Sequence, residues 1–79
     1  MSIKNTALRF VEGTSDKVYQ VQIEEVSHSP EYVVNFQYGR TGSLLKEGTK
    51  TPDPVSFEEA MWTYNKLVAE KMKKGYQEE

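Results

Sequence analysis

The chain has 79 residues, a formal net charge of −2 and no cysteine. This length fits one small domain, near the size at which a single core becomes only marginally sufficient, and we expect residues 1–79 to form it. The absence of cysteine excludes a disulfide framework and a thiolate metal site. The negative charge argues against a general basic clamp on nucleic acid, so any such binding must rest on a local patch.

The sequence carries no segment of the kind that spans a bilayer, and its first residues do not lead into a long apolar run. We therefore expect a soluble, cytoplasmic protein without a membrane partner. The absence of cysteine is compatible with a reducing compartment.

Alternating apolar and polar residues predict an antiparallel hairpin at the start of the chain. The first strand is predicted over residues 5–11 and the second over residues 17–26. Residues 13–16 between them have the glycine and short polar side chains of a tight turn. One face of the second strand is apolar and the other is polar.

A proline-containing segment, residues 27–30, separates the second strand from the third, because proline cannot donate to a sheet ladder. It contains the only histidine, His28, for which a solvated loop position is favoured over a catalytic or metal-binding one. A third strand is predicted over 31–38 and a weaker fourth over 44–50. Gly48 within the fourth indicates a bulge or a close backbone approach.

A helix is predicted over residues 56–74. Ser56 and Glu59 have the spacing of a capping box, and apolar residues then recur at the three- and four-residue steps of one helical face. Lysines near the end of this segment suit the negative end of the helix dipole. Gly75 is expected to end the helix with a left-handed cap that lets Tyr76 fold back.

These elements predict an α+β domain in which a small antiparallel β-sheet of about four strands carries one C-terminal α-helix packed across it. Trp62 lies off the apolar stripe of the helix, and we expect it to flank the core rather than to form a contact surface. The predicted core consists of Leu8, Phe10, Tyr19, Val21, Ile23, Val34, Phe36, Ala60, Met61, Tyr64, Leu67 and Val68.

The end of the third strand delivers an aromatic ring and an arginine together, at Tyr38-Gly39-Arg40. A tyrosine ring can stack on a base or ribose, and a guanidinium can bind a phosphate through two parallel hydrogen bonds. The alternative is that Tyr38 ends the buried stripe and Arg40 is a solvated turn residue. Lys46, Lys50 and Lys17 could add phosphate contacts, or the first two could be edge-strand lysines that discourage aggregation.

With these segments assigned, the sequence resembles a WGR domain, a family named for the Trp-Gly-Arg triplet that many members carry. The resemblance covers nearly the whole chain and depends on the order and spacing of four local matches. They are Ser15-Asp16-Lys17-Val18-Tyr19, Tyr38-Gly39-Arg40 with Gly42, the helix containing Ala60, and Glu70-Lys71 followed by Lys74-Gly75-Tyr76.

The resemblance implies a small antiparallel sheet with one helix laid across it. Proteins with WGR domains include the poly(ADP-ribose) polymerases, where the domain binds the end of a DNA break and relays contact to neighbouring domains, and bacterial proteins similar to molybdate-metabolism regulators. In the polymerases the triplet's aromatic stacks near the terminal nucleotide and its arginine makes polar contacts to neighbouring domains. These roles fall on Tyr38 and Arg40, with a smaller ring and a hydroxyl in place of tryptophan.

We therefore expect a non-catalytic, bacterial-type stand-alone domain that binds DNA weakly, at ends or nicks, without cofactor or metal. The sequence has no cysteine nucleophile, clustered histidines, phosphate-binding glycine loop or evident carboxylate pair, and no small-molecule substrate is indicated. The alternative is a protein-interaction module that presents the same turn with Trp62 or Tyr76. The predicted nucleic-acid-binding residues are Tyr38, Arg40, Lys46, Lys50 and Lys17.

Overall fold

A five-stranded antiparallel sheet carries a single helix on one face in the computed structural model, which describes residues 2–26 and 30–79. The predicted α+β class is confirmed. His28 and its neighbours, residues 27–29, lie outside the described residues. The sheet order is β4-β3-β2-β1-β5. The elements are β1 (Ser2–Glu12), β2 (Ser15–Glu25), β3 (Tyr32–Arg40), β4 (Lys46–Thr49), α1 (Phe57–Lys73) and β5 (Gln77–Glu78).

The predicted hairpin is present, and its strands are longer than their apolar stretches. β1 pairs with β2 so that Leu8 lies opposite Tyr19, and β2 pairs with β3 so that Tyr19 lies opposite Tyr38. β1 begins before the predicted residue 5 because backbone pairing continues through polar positions such as Lys4. β4 is shorter than predicted because its pairing with β3 begins only at Lys46.

The fifth strand, β5, was not predicted from the sequence. It has two residues, both polar and exposed, and so offers no periodic pattern. It forms at the outer edge of β1, where Gln77 lies opposite Arg9, and the amide of Glu79 donates to the carbonyl of Ala7 at 3.0 Å. The strand therefore depends on the reversal of the chain after the helix rather than on its own composition.

The serine cap at the start of the helix and the glycine cap at its end are both confirmed. At the start, the Ser56 hydroxyl oxygen accepts the amide of Glu59 at 3.2 Å. At the end, the Tyr76 amide donates to the carbonyl of Lys71 at 3.1 Å, a bond that closes the last turn. Gly75 has a φ of 108°, which favours glycine, and it turns the chain so that Tyr76 folds back.

The predicted core is largely confirmed. Phe36, Met61 and Val68 are partly buried against it. Phe10 corrects the prediction, because it is only half-buried and lies outside the core, with its ring 5.5 Å from that of Tyr76. A Cβ on Gly48 would lie 2.5 Å from Cζ of Phe36, so this glycine allows the close backbone approach that was one of its two interpretations. The buried apolar residues are Leu8, Tyr19, Val21, Ile23, Val34, Ala60, Tyr64 and Leu67.

Trp62 corrects the prediction that it would flank the core, because 63% of it is exposed. It follows the buried Ala60 by two residues, which places it about 200° around the helix from the packed stripe. Within the described residues, no helix is both long enough and apolar enough to cross a membrane.

Candidate nucleic-acid interface

One end of the sheet lies beyond the end of the helix. The helix begins near Tyr32, whose ring is 5.3 Å from that of Phe57, and its last turn lies over Tyr19, where Nζ of Lys71 is 4.4 Å from the ring centroid. Strands β2 and β3 continue past this point, and Arg40 is the last residue of β3. The cap at the end of the helix stops it there, so this sheet end remains accessible on the helix side.

Tyr38 stands on this accessible sheet end and is partly held by its neighbours. Its ring is nearly parallel to that of Tyr19, with centroids 6.0 Å apart and an angle of 23°, and it is 5.9 Å from Phe36 at 28°. The residue is nevertheless 39% exposed. The sequence left open whether Tyr38 is exposed or buried. In the structure, Tyr19 and Phe36 pack against its ring, and part of the ring remains accessible. Bracing reduces the rotamer freedom that a ligand would otherwise have to remove.

Tyr76 and Tyr19 complete the aromatic cluster. Tyr76 lies edge-on to Tyr19 at 6.2 Å and 5.5 Å from Phe10, so the residue after the helix closes the cluster on the β1 side. Tyr19 is only 5% exposed. Its burial raises its pKa to about 12, with smaller effects from Tyr38, Tyr76 and Glu70. Tyr19 is therefore a neutral ring within this cluster of Phe10, Tyr19, Phe36, Tyr38 and Tyr76, which forms the Tyr38 platform.

Three predicted cations surround Tyr38 on the same face of the sheet. Lys17 lies directly opposite Arg40, and Lys46 lies directly opposite Tyr38, and opposed residues of antiparallel strands project to one side. Because Lys17 and Lys46 are two strands apart and offset by two residues along β3, their backbones are separated by about 12 Å. Lys17, Tyr38, Arg40 and Tyr76 line a depression of about 300 Å³ together with Ser15, Asp16 and Gly39.

Lys50 and Lys71 extend this positive region toward the helix. Nζ of Lys50 is 5.5 Å from the ring centroid of Phe36. Burial lowers the pKa of Lys71, and the nearby charges of Lys74 and Lys50 lower it further. Lys71 was not among the predicted site residues. The sequence nevertheless indicates that Lys71 faces the sheet, because it follows Leu67 by four residues and so continues the packed stripe of the helix.

The two arginines of the chain differ in what they bind. Arg9 forms a bidentate pair with Asp16, at 2.9 Å from Nε and 2.7 Å from Nη2. Arg40 makes no ion pair in the part of the chain that the structure describes, and its Nη2 donates to the Thr14 carbonyl at a long 3.4 Å. The Arg40 guanidinium is therefore the one available for an added ligand.

Asp16 also fixes the turn that follows Arg40. Its side chain accepts the Thr41 hydroxyl at 2.7 Å, and its backbone carbonyl accepts the Thr41 amide at 2.9 Å. The hydrogen bonds from Arg9 and Thr41 lower the pKa of Asp16 to about 2. The carboxylate thus ties β1, β2 and the end of β3 together.

Comparison with known families gives one finding. The family model of the WGR domain matches residues 4–79. This chain belongs to the WGR domain family. Comparisons with curated proteins and with solved structures found no significant match. WGR domains are known in general as a nucleic-acid-binding, non-catalytic family.

The opposite face of this WGR domain has a different character. Asn35 donates to Glu24 at 2.7 Å, and Gln37 donates to Glu47 at 2.7 Å. These four residues, with Gln22 and Thr49, line a cavity of about 370 Å³ that carries carboxylates and no cation. Within residues 2–26 and 30–79, no group of three or more histidine or acidic residues could hold a metal ion. This cavity therefore lacks the cations that surround Tyr38 on the helix side.

Proposed function

We propose that this WGR domain binds DNA weakly and without catalysis, with a preference for ends or nicks. The observation that carries the proposal is the half-exposed ring of Tyr38 on a sheet end that the helix leaves accessible. Arg40, Lys17 and Lys46 share that face. Family membership supports nucleic acid as the ligand class.

Each residue has a distinct proposed role. Tyr38 stacks on the terminal base or sugar, and Arg40 binds the adjacent phosphate through its planar guanidinium. Lys17 and Lys46, on either side, neutralise phosphates that flank this contact, and Lys50 continues the charge toward the helix. These are the five residues that the sequence predicted, joined by Lys71 as a further cation in the aromatic cluster.

The preference for ends follows from stacking geometry. In a continuous duplex each base is covered by its neighbours, whereas an end or nick exposes a face on which a ring can stack. The positive patch is small, and the carboxylate-bearing face of the sheet lies on the other side. A long electrostatic contact along a duplex is therefore disfavoured, and affinity must come mainly from the local contact.

The test is a fluorescence titration of a labelled duplex with one accessible blunt end, a nicked duplex and a covalently closed circle of the same sequence. The proteins are the wild type, Tyr38→Ala, Arg40→Ala and the control Phe57→Ala, each checked for folding by circular dichroism. Phe57 is a suitable control because it is a 47% exposed aromatic at the other end of the helix. Loss of stacking in Tyr38→Ala should cost about 1 to 3 kcal/mol of binding free energy.

Wild-type binding to the blunt and nicked duplexes but not to the circle, weakened by both site variants and unchanged in the control, supports the proposal. Absence of binding at low salt, or equal binding by all folded proteins, overturns it. The second candidate is then a protein-interaction module, favoured by the exposure of Leu44 (98%) beside the Tyr38 turn and of Trp62 on the helix.

A further inference from the structure

A second aromatic residue with adjacent cations lies on the helix, away from Tyr38. Trp62 is the only tryptophan of the chain and is 63% exposed. Nζ of Lys66 is 4.9 Å from the centroid of its ring. Together with Lys50, Thr63, Leu67 and Glu70, these two residues line a depression of about 270 Å³ between the helix and the segment that follows β4.

Lys50 connects this depression to the Tyr38 platform. It lines the depression, and its Nζ also lies 5.5 Å from the ring of Phe36, which is packed next to Tyr38. Lys46, opposite Tyr38, is four residues before Lys50, or roughly 13 Å along an extended chain. A row of cations thus leads from Tyr38 to Trp62, formed by Lys46, Lys50 and Lys66.

We propose that Trp62, Lys66 and Lys50 form a subsite for a single-stranded extension of the bound DNA end, an inference that rests on the DNA-end function proposed above. Successive stacking platforms joined by a positively charged track are what single-stranded nucleic acid binds without sequence preference. An unpaired base offers Trp62 an open face that a paired base within a duplex does not. Of the residues that line the depression, two are cations and only Glu70 is anionic, which favours a phosphate chain as occupant.

The experiment compares a blunt hairpin duplex with hairpins that carry a single-stranded extension of about six thymidines, the size of a short single-strand site, on either strand polarity. Affinity is measured for the wild type, Trp62→Ala, Lys66→Gln and the control Phe57→Ala. Intrinsic fluorescence of the wild type gives a direct second readout, because a base stacked on the sole tryptophan quenches it.

The extension on one polarity should tighten wild-type and Phe57→Ala binding at least about fivefold, the lower limit for one stacked base. It should also quench Trp62, whereas the blunt duplex should not. Trp62→Ala and Lys66→Gln should lose most of this gain and keep wild-type affinity for the blunt duplex.

Binding of the blunt duplex that depends on Tyr38, with no gain from either extension, overturns this subsite and leaves the DNA-end function intact. A gain that survives in Trp62→Ala, or equal quenching by blunt and extended DNA, also overturns it. Absence of binding to every DNA overturns the DNA-end function, and the subsite with it.

Discussion

Salt dependence is the sharpest quantitative test of the site, because the structure limits how many cations can reach one DNA end. Four cations lie around Tyr38 and Phe36: Arg40, Lys17, Lys46 and Lys50. The further cation of the site, Lys71, lies over the buried ring of Tyr19 and is not expected to neutralise a phosphate. If each of the four neutralises one phosphate, the logarithm of the affinity should fall with the logarithm of salt at a slope of about −3.6. Between about 50 and 200 mM salt the affinity should then fall roughly 150-fold.

Removing two of these cations should flatten the slope by a fixed amount. Lys17→Gln and Lys46→Gln should each make the slope less negative by about 0.9, and the double variant should have a slope of about −1.8. The double variant should lose only about 12-fold in affinity over the same range of salt. The assay is fluorescence anisotropy of the blunt duplex over a series of salt concentrations at fixed pH.

Lys4→Gln is the matched control. Lys4 lies opposite Ile23, six residues along β2 from Lys17, which is about 20 Å in an extended strand. This exceeds the screening length of about 10 Å at ordinary salt, so the slope should not change. A wild-type slope near zero would show that no phosphates are neutralised. An equal change of slope in Lys4→Gln and Lys17→Gln would show that only the net charge matters, and either result would refute the local patch.

Three further predictions concern the ring, the fold and pH. Tyr38→Trp should strengthen end binding a few-fold in the same anisotropy assay, because a larger ring covers more of the terminal base, and weaker binding by a folded variant would argue against stacking. Thr51→Val should lower the free energy of unfolding, measured in urea, by about 1 to 3 kcal/mol, because the buried amide of Val34 loses the hydroxyl that accepts it at 2.8 Å. Thr51→Ser keeps a hydroxyl and should lose less, and equal losses in the two variants would contradict this reason. The pKa of Asp16 is about 2 in the folded state against an ordinary 3.8, so the ionised carboxylate stabilises the fold fully above pH 3.8 and loses this effect as pH falls toward 2. The free energies of urea unfolding of the wild type and Asp16→Asn should therefore differ above that pH range and converge below it. A difference that stays constant with pH would contradict the assignment.

The sheet and helix were predictable because short-range patterns determine them. Period-two alternation assigned the apolar face of β2, and the spacing of Ser56 and Glu59 marked the helix start. Gly75 and Tyr76 gave the chain reversal. These signals are local, since each depends on residues a few positions apart.

The accessible part of the site was not predictable in the same way. Whether Tyr38 is covered depends on where the helix ends above the sheet, which is a relation between residues 38 and 71 rather than a local pattern. β5 likewise depends on contacts between residues far apart in the sequence, because its two polar residues pair with β1 only after the chain has reversed direction. Trp62 is exposed because the packed stripe of the helix is narrow, with only Ala60, Tyr64 and Leu67 buried.

Lys71 shows why the helix end and the site must be considered together. A cation at this position is explained by the helix dipole alone, and the last turn also contains Lys73. However, Lys71 is directed over the buried Tyr19, with Nζ 4.4 Å from the ring centroid, so it lies at the aromatic cluster as well as at the helix end. A DNA end placed on Tyr38 would bring phosphates toward the negative end of the helix dipole. In the proposed complex, the charge of Lys71 would offset that unfavourable field where the last turn of the helix lies over Tyr19, so the same side chain would serve both the helix end and the bound phosphate.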